Sequence, residues 1–219
     1  MKEALKLVAR TKMKKAILIG AWALLAAGTA MVTGCGQGKP VHGIPKGWSV
    51  IGGDGDTWRW GNGVIAARSA SGCSLLASSR EYRDVTLSAI VGSTNRDGCL
   101  AFRIQDADNC YFVLFTPAGT PWPWNRDYPF TQEGFIALRK RTSGSEVTLA
   151  SYQGSVFSII GQSAKVAVTA RGSVFEVRLN DVRVLRATDT NYTTGLIGLR
   201  ICGDDRYPSD TTYSNLTFQ

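Results

Sequence analysis

From Trp48 onward the chain falls into short runs in which apolar and polar residues alternate. Val85, Leu87, Ala89 and Val91 alternate with Thr86, Ser88 and Ile90, giving one apolar face and one mixed face. Leu100, Phe102 and Ile104 alternate with Ala101, Arg103 and Gln105, and Val166, Val168 and Ala170 with Ala167, Thr169 and Arg171. Phe175, Val177 and Leu179 alternate with Glu176 and Arg178. Successive side chains of a strand point to opposite faces, so each run reads as a strand with one side against a core. Turn-forming residues separate the runs at Gly52–Asp56, Asp106–Asn109, Thr142–Ser145, Arg171-Gly172 and Asn180-Asp181. After residue 35 no stretch carries the apolar spacing of an amphipathic helix. About a dozen short strands in one domain predict an all-β fold, an antiparallel β-sandwich of jelly-roll type.

Two segments break this rhythm. Thr116–Gly134 holds four prolines (Pro117, Pro121, Pro123, Pro129) and four aromatics (Trp122, Trp124, Tyr128, Phe130). Proline cannot donate to a sheet ladder, so this segment is expected as a long surface loop, and loops of that length are usually functional or disordered. At the other extreme the chain opens with Lys2, Lys6, Arg10, Lys12, Lys14 and Lys15, followed by an apolar run from Ala16 to Val32 and then Val32-Thr33-Gly34-Cys35. A basic stretch, an apolar stretch and small residues before a cut site have the form of a secretory signal. A membrane-spanning helix needs roughly 20 consecutive apolar residues; this run is shorter and is broken by Gly20, Gly28 and Thr29. Gly36–Gly47 then reads as a Gly- and Pro-containing tether. The chain thus divides into a signal helix (1–34), Cys35 with the tether (35–47) and the sandwich domain (48–219).

Charge and cysteine content sharpen this division. The 25 basic and 17 acidic residues give +8, but the leader holds six of the bases and Glu3, leaving 19 against 16, a net +3. The basicity is largely that of the export signal, which argues against a nucleic-acid partner. Cys35 aside, Cys73, Cys99, Cys110 and Cys202 remain; an even number in an exported domain predicts two disulfides, with buried thiols as the alternative. If Asp106–Asn109 is a hairpin turn, Cys99 falls opposite Thr116, so a Cys99–Cys110 bond is not expected.

The leader resembles a bacterial lipoprotein signal, in which a small residue precedes the modified cysteine. The resemblance implies that Cys35 is lipidated and holds the domain to a bacterial membrane in the cell envelope, on the periplasmic or cell-surface side. Several acyl chains on one residue suffice for stable attachment without a spanning helix. From Ser71 to Gln219 the chain resembles laminin-G-like and concanavalin A-like jelly-roll domains of bacterial exported proteins. The match is carried by Leu75-Leu76, Tyr82-Arg83-Asp84-Val85, Gly98–Val113, Val174–Leu185, Gly195–Leu199 and Ser214–Phe218. This fold hosts lectins, carbohydrate-binding modules, glycosidases and adhesion modules, so the resemblance implies architecture before activity. The more distant likeness is to 3-keto-disaccharide hydrolase-type domains. There a Gly-Tyr-Glu segment usually follows the Phe-Arg strand; Asp108-Asn109-Cys110-Tyr111 stands in its place without the glutamate.

Chemistry narrows the choice. The only histidine, His42, lies in the tether, which removes Ser-His-Asp and Cys-His arrangements and imidazole-based zinc sites. If the domain is an enzyme, glycoside hydrolysis is the class left. It needs two carboxyl groups across the scissile bond, whereas Asp106 with Asp108 and Asp204 with Asp205 sit in predicted turns. No cofactor is called for beyond calcium, for which Asp54, Asp56, Asp204 and Asp205 supply oxygen ligands. Trp122, Trp124 and Tyr128 offer ring faces to the C–H faces of a sugar, with Asn125, Arg126 and Asp127 for its hydroxyls; the alternative is that the rings cap one end of the sandwich. Trp48, Trp58 and Trp60 are expected in packing roles. Carbohydrate is the expected partner, with a glycosidase of the same fold or a protein-binding adhesion module as alternatives. Cys35→Ser is expected to move the protein from the detergent-extracted membrane fraction to the soluble fraction. An intact, unmodified amino terminus on the wild-type chain, read by mass spectrometry, would contradict the anchor.

Overall fold

The structure, a computed structural model, describes residues 46–53, 57–93, 98–117, 134–153, 163–203 and 208–219. Its strands are β1 (Trp48–Gly52), β2 (Trp58–Gly61), β3 (Val64–Ser69), β4 (Gly72–Tyr82), β5 (Val85–Ser93), β6 (Gly98–Asp106) and β7 (Asn109–Thr116). They continue as β8 (Phe135–Thr142), β9 (Ser145–Tyr152), β10 (Ser163–Arg171), β11 (Val174–Leu179), β12 (Val182–Thr188), β13 (Gly195–Gly203) and β14 (Ser209–Phe218). Two seven-stranded sheets form, in the orders β1-β4-β13-β6-β7-β8-β9 and β12-β11-β10-β5-β14-β3-β2. Every pairing between described strands is antiparallel, and the sheets pack as a jelly-roll sandwich. Among the described residues there is no α-helix.

The period-two runs supply the core between the sheets. Val85, Leu87, Ala89 and Val91 of β5 meet Val166, Val168 and Ala170 of β10 and Phe175, Val177 and Leu179 of β11, all buried with Ile136 and Leu138 of β8. Trp58 is buried and donates Nε1–H to Ser74 Oγ across the sheets at 2.8 Å, while Trp48 and Trp60 pack partly buried at the margin. Tyr213 ties the layers from the other side: its hydroxyl donates to the Arg200 carbonyl at 3.0 Å and accepts from the Cys99 amide at 3.2 Å.

In β6 the alternation fails, for a local reason. Arg103 has φ 48°, and the register against β7 shifts between Phe102 and Asp106. This β-bulge sends Ile104 to the opposite face from Leu100 and Phe102, correcting the expectation that the three share one side. It also moves Cys99 opposite Leu114 rather than Thr116. The Arg103 side chain, 1% exposed, turns into one end of the sandwich. There Nη1 donates to the Tyr192 carbonyl at 2.9 Å, and Nη2 to the carbonyls of Arg83 at 3.1 Å and Gly172 at 2.5 Å. The guanidinium carbon lies 5.1 Å from the Phe175 ring centroid. Gly195 closes against the bulge with φ 152°, and a Cβ there would stand 2.5 Å from the Arg103 carbonyl carbon. One cation thus joins β6 to the β4–β5 turn, the β10–β11 turn and the segment entering β13. Arg103→Met strands three carbonyls at once and is expected to cost about 3 kcal/mol or more in urea unfolding; an unchanged midpoint would show that the clamp is dispensable.

Candidate functional site

The first sheet also has an apolar outer face. Leu75 and Ala77 of β4, Cys99, Ala101 and Ile104 of β6, Cys110, Phe112 and Leu114 of β7, and Phe135 and Ala137 of β8 form a second buried cluster. Among the described residues no strand packs over it. An amphipathic sandwich strand would show polar residues on its outer side, whereas these central strands are apolar and buried on both faces, the outer one at 0–3% exposure.

Polar side chains converge above that floor. Arg139 and Arg141, two apart on β8, share the outer face, and Glu146 of β9 stands opposite Arg141. Glu146 Oε2 accepts from Arg139 Nη1 at 3.0 Å; Oε1 accepts from Arg141 Nη1 at 3.0 Å and from Arg200 Nη2 at 2.7 Å. Arg141 also reaches Asp108 Oδ1 at 2.8 Å. The Arg200 guanidinium covers the Phe112 ring, 4.3 Å from its centroid, a cation–π contact, and also lies 3.4 Å from Cys73 Sγ. Between β13, which carries Arg200, and β9, which carries Glu146, lie β6, β7 and β8. In a flat sheet four inter-strand steps would span roughly 19 Å, more than the two extended side chains can bridge. Their meeting requires the sheet to curl towards this side, and the cluster therefore lies in a concavity.

Burial opposes ionisation of Glu146, but Arg200, Arg139 and Arg141 outweigh it and hold the carboxyl below its ordinary range. For Arg141, burial works against the charge and Asp108 with Glu146 overcome it, raising the pKa. A glycosidase acid has to carry its proton at working pH, so an ionised Glu146 is fitted to hold ligands or cations and not to protonate a leaving group. Burial pushes the Cys110 thiol up to about 11, which leaves it un-ionised and without nucleophilic character at neutral pH.

Of the four cysteines expected to form two disulfides, Cys73 and Cys202 do pair, directly across β4 and β13. Cys99 and Cys110 are not bonded to each other and remain buried thiols. As the hairpin geometry predicts, Cys99 and Cys110 do not face each other: Cys99 stands opposite Leu114 on β7, and Cys110 opposite Arg141 on β8. Asp106 and Asp108 occupy the β6–β7 turn, where Asp106 Oδ1 accepts from the Asp108 amide at 2.8 Å and both its oxygens accept from Asn109 Nδ2 at 2.9 Å. Trp122, Trp124, Asn125, Arg126, Asp127 and Tyr128, the acidic residues Asp54, Asp56, Asp204 and Asp205, and Cys35 lie outside the described residues. Within them, no group of three or more His, Cys, Asp or Glu side chains is placed to hold a metal ion.

No protein-family profile and no curated protein matches the chain. Solved structures do match its fold. Carbohydrate-binding module CBM66 from Bacillus subtilis superposes with a TM-score of 0.61 at 22% identity, over 79% of this chain and 95% of that one. The VIP36 exoplasmic/lumenal domain, in a form bound to Ca2+ and Man3GlcNAc, gives 0.55 at 12% identity, over 78% and 82%. The Bacillus licheniformis β-glucanase gives 0.53 at 12%, over 80% and 93%. At these identities the likeness establishes a concanavalin A-like jelly roll and nothing about the residues of a site.

Acidification tests the electrostatics of the cluster. A carboxyl with a depressed folded-state pKa contributes stability that is present above its unfolded pKa and lost as pH falls through the folded one. Glu146→Gln is therefore expected to lower stability by about 2 kcal/mol at neutral pH, with the gap to wild type closing as the pH falls below the ordinary carboxylate range. A gap that is the same at neutral and acid pH would show that the charge of Glu146 contributes nothing.

Proposed function

We propose that the domain is a carbohydrate-binding module of the cell envelope, and that its concave outer face is where the saccharide rests. The observation that carries this reading is the Arg139–Arg141–Arg200–Glu146 cluster on the curled sheet. Guanidinium forks and an ionised carboxylate are a donor and acceptor set suited to sugar hydroxyls. The apolar floor around Phe112 lowers the dielectric and strengthens each such bond. The structural neighbours with saccharide-binding names, a carbohydrate-binding module and a lumenal domain bound to Man3GlcNAc, support the reading through fold.

Trp122, Trp124 and Tyr128 supply stacking in this proposal, with Asn125, Arg126 and Asp127 beside them. Their segment leaves β7 at Thr116 and rejoins β8 at Phe135, the strand ends opposite to Asp108 and Arg141. Cys35 as a lipid anchor would hold the domain at a bacterial membrane, where glycans of the envelope or of the surroundings are within reach of the tether.

The test is affinity electrophoresis of the protein against a panel of soluble polysaccharides. Wild type is expected to be retarded by at least one of them. Arg141→Ala, and separately Trp122→Ala with Trp124→Ala, are expected to reduce retardation by about tenfold in apparent affinity, the scale of one lost charge-assisted bond or hot-spot ring. Thermal midpoints should stay near wild type for the tryptophan pair. Loss of folding in that pair would assign the rings to packing, and free migration of wild type in every polysaccharide would overturn the proposal.

A further inference from the structure

The charge balance on the concave face points to a narrower class of ligand, and this step rests on the carbohydrate reading above. Three guanidinium groups meet one carboxylate, Glu146, whose side chain is 21% exposed. Arg200 is almost wholly desolvated at 5% exposure, and Arg139 and Arg141 are at 22% and 21%. Among the described residues, the other nearby acids stand in water: Asp108 is 60% exposed, and Asp106 lies on the exposed β6–β7 turn with both oxygens committed to that turn. Charges in water are screened, whereas charges over an apolar floor are not. The buried part of the cluster therefore carries more positive than negative charge. One Nη group of Arg139 binds Glu146; its Nε–H, like that of Arg103, is buried without a hydrogen-bond partner among the described residues.

We infer that the concave face takes an acidic saccharide, one whose ring bears a carboxylate, and that this carboxylate is held by Arg139 and Arg141 at the solvent-facing rim of the cluster. Arginine suits the task because its planar fork can hold a carboxylate through two parallel bonds. Glu146 sets the geometry: it already fixes the three guanidiniums around an oxyanion, so the incoming carboxylate meets donors that have lost most of their freedom. A neutral sugar would leave the surplus charge as it is.

A matched pair of ligands decides the matter. Polygalacturonate and its fully methyl-esterified form share a backbone and differ in the charge at each ring. Binding of the whole protein to each, with laminarin as a neutral glucan and polyglutamate as a polyanion without sugar, is read by affinity electrophoresis at low and high salt. Polygalacturonate is expected to bind at least about tenfold tighter than the ester, the value of one charge-assisted contact, with the advantage shrinking in high salt. Arg139→Gln is expected to remove that advantage, so that the variant binds acid and ester alike. Equal binding of acid and ester, or retention of laminarin alone, would overturn the acidic class and leave the carbohydrate reading standing. Polyglutamate bound as tightly as polygalacturonate would reduce the face to a general anion surface and overturn the inference. Failure to bind any polysaccharide in the panel would instead sink the underlying proposal.

Discussion

Arg103 is the residue on which the arrangement of this sandwich turns. A fully buried cation is costly unless its donors are satisfied, and here the acceptors are backbone carbonyls of Tyr192, Arg83 and Gly172. Those carbonyls belong to connections between different strands, so satisfying the charge fixes one end of both sheets. The left-handed φ of Arg103 is part of the same constraint. It lets the side chain turn inward, and it inverts the facing of the residues that follow. Around it, Phe102 stacks on Tyr111 with centroids 5.4 Å apart, and Phe175 meets both rings at 5.1 and 4.8 Å. Beside them the Tyr111 hydroxyl donates to Asp189 at 2.5 Å, while Lys140 binds the other oxygen of Asp189 at 2.7 Å. Burial and the bond to Asp189 push the Tyr111 pKa up, keeping its proton in place as a tie between β7 and the segment before β13.

With that end fixed, the first sheet presents its outer side as a curled surface whose floor is apolar and whose polar groups are concentrated at one place. The contrast between the two buried arginines is instructive. The Nη groups of Arg103 are satisfied by neutral carbonyls, and the residue belongs to the architecture. Arg200 is satisfied by a carboxylate that two further arginines also claim, and its ring contact with Phe112 holds it above the floor. The first arrangement closes a structure. The second leaves charge over, in a concavity.

Much of the fold is legible in the sequence because a half-buried strand writes its facing directly into its residues. The runs at Val85–Val91, Val166–Ala170 and Phe175–Leu179 name the core positions that the structure buries. The bulge is not legible, because Ile104 continues the apolar period and Arg103 is not a glycine whose presence would announce a positive φ. The Cys73–Cys202 pairing follows from a contact between β4 and β13, strands far apart in sequence. The Arg–Glu cluster was missed because each member looks ordinary alone: Arg139 and Arg141 resemble the exposed side of a strand, and Glu146 stands near a turn. The signal that was there is Arg200, a lone charge inside the apolar run Gly195–Gly203. A charge in such a strand has to find a partner across the sheet face, and it finds Glu146. The tryptophan segment, conspicuous by its composition, lies outside the described residues.

The central claim is that the concave face, through its guanidinium groups, is the part of the molecule that meets a saccharide. It is tested most directly by following the Nε–H resonances of arginine in a 15N-labelled sample as oligogalacturonate is added. The account predicts that the Arg139 and Arg141 signals shift and that the exchange of their protons with water slows, while the Arg103 signal stays where it was. Shifts confined to residues of the second sheet, with the cluster unmoved at saturation, would contradict it.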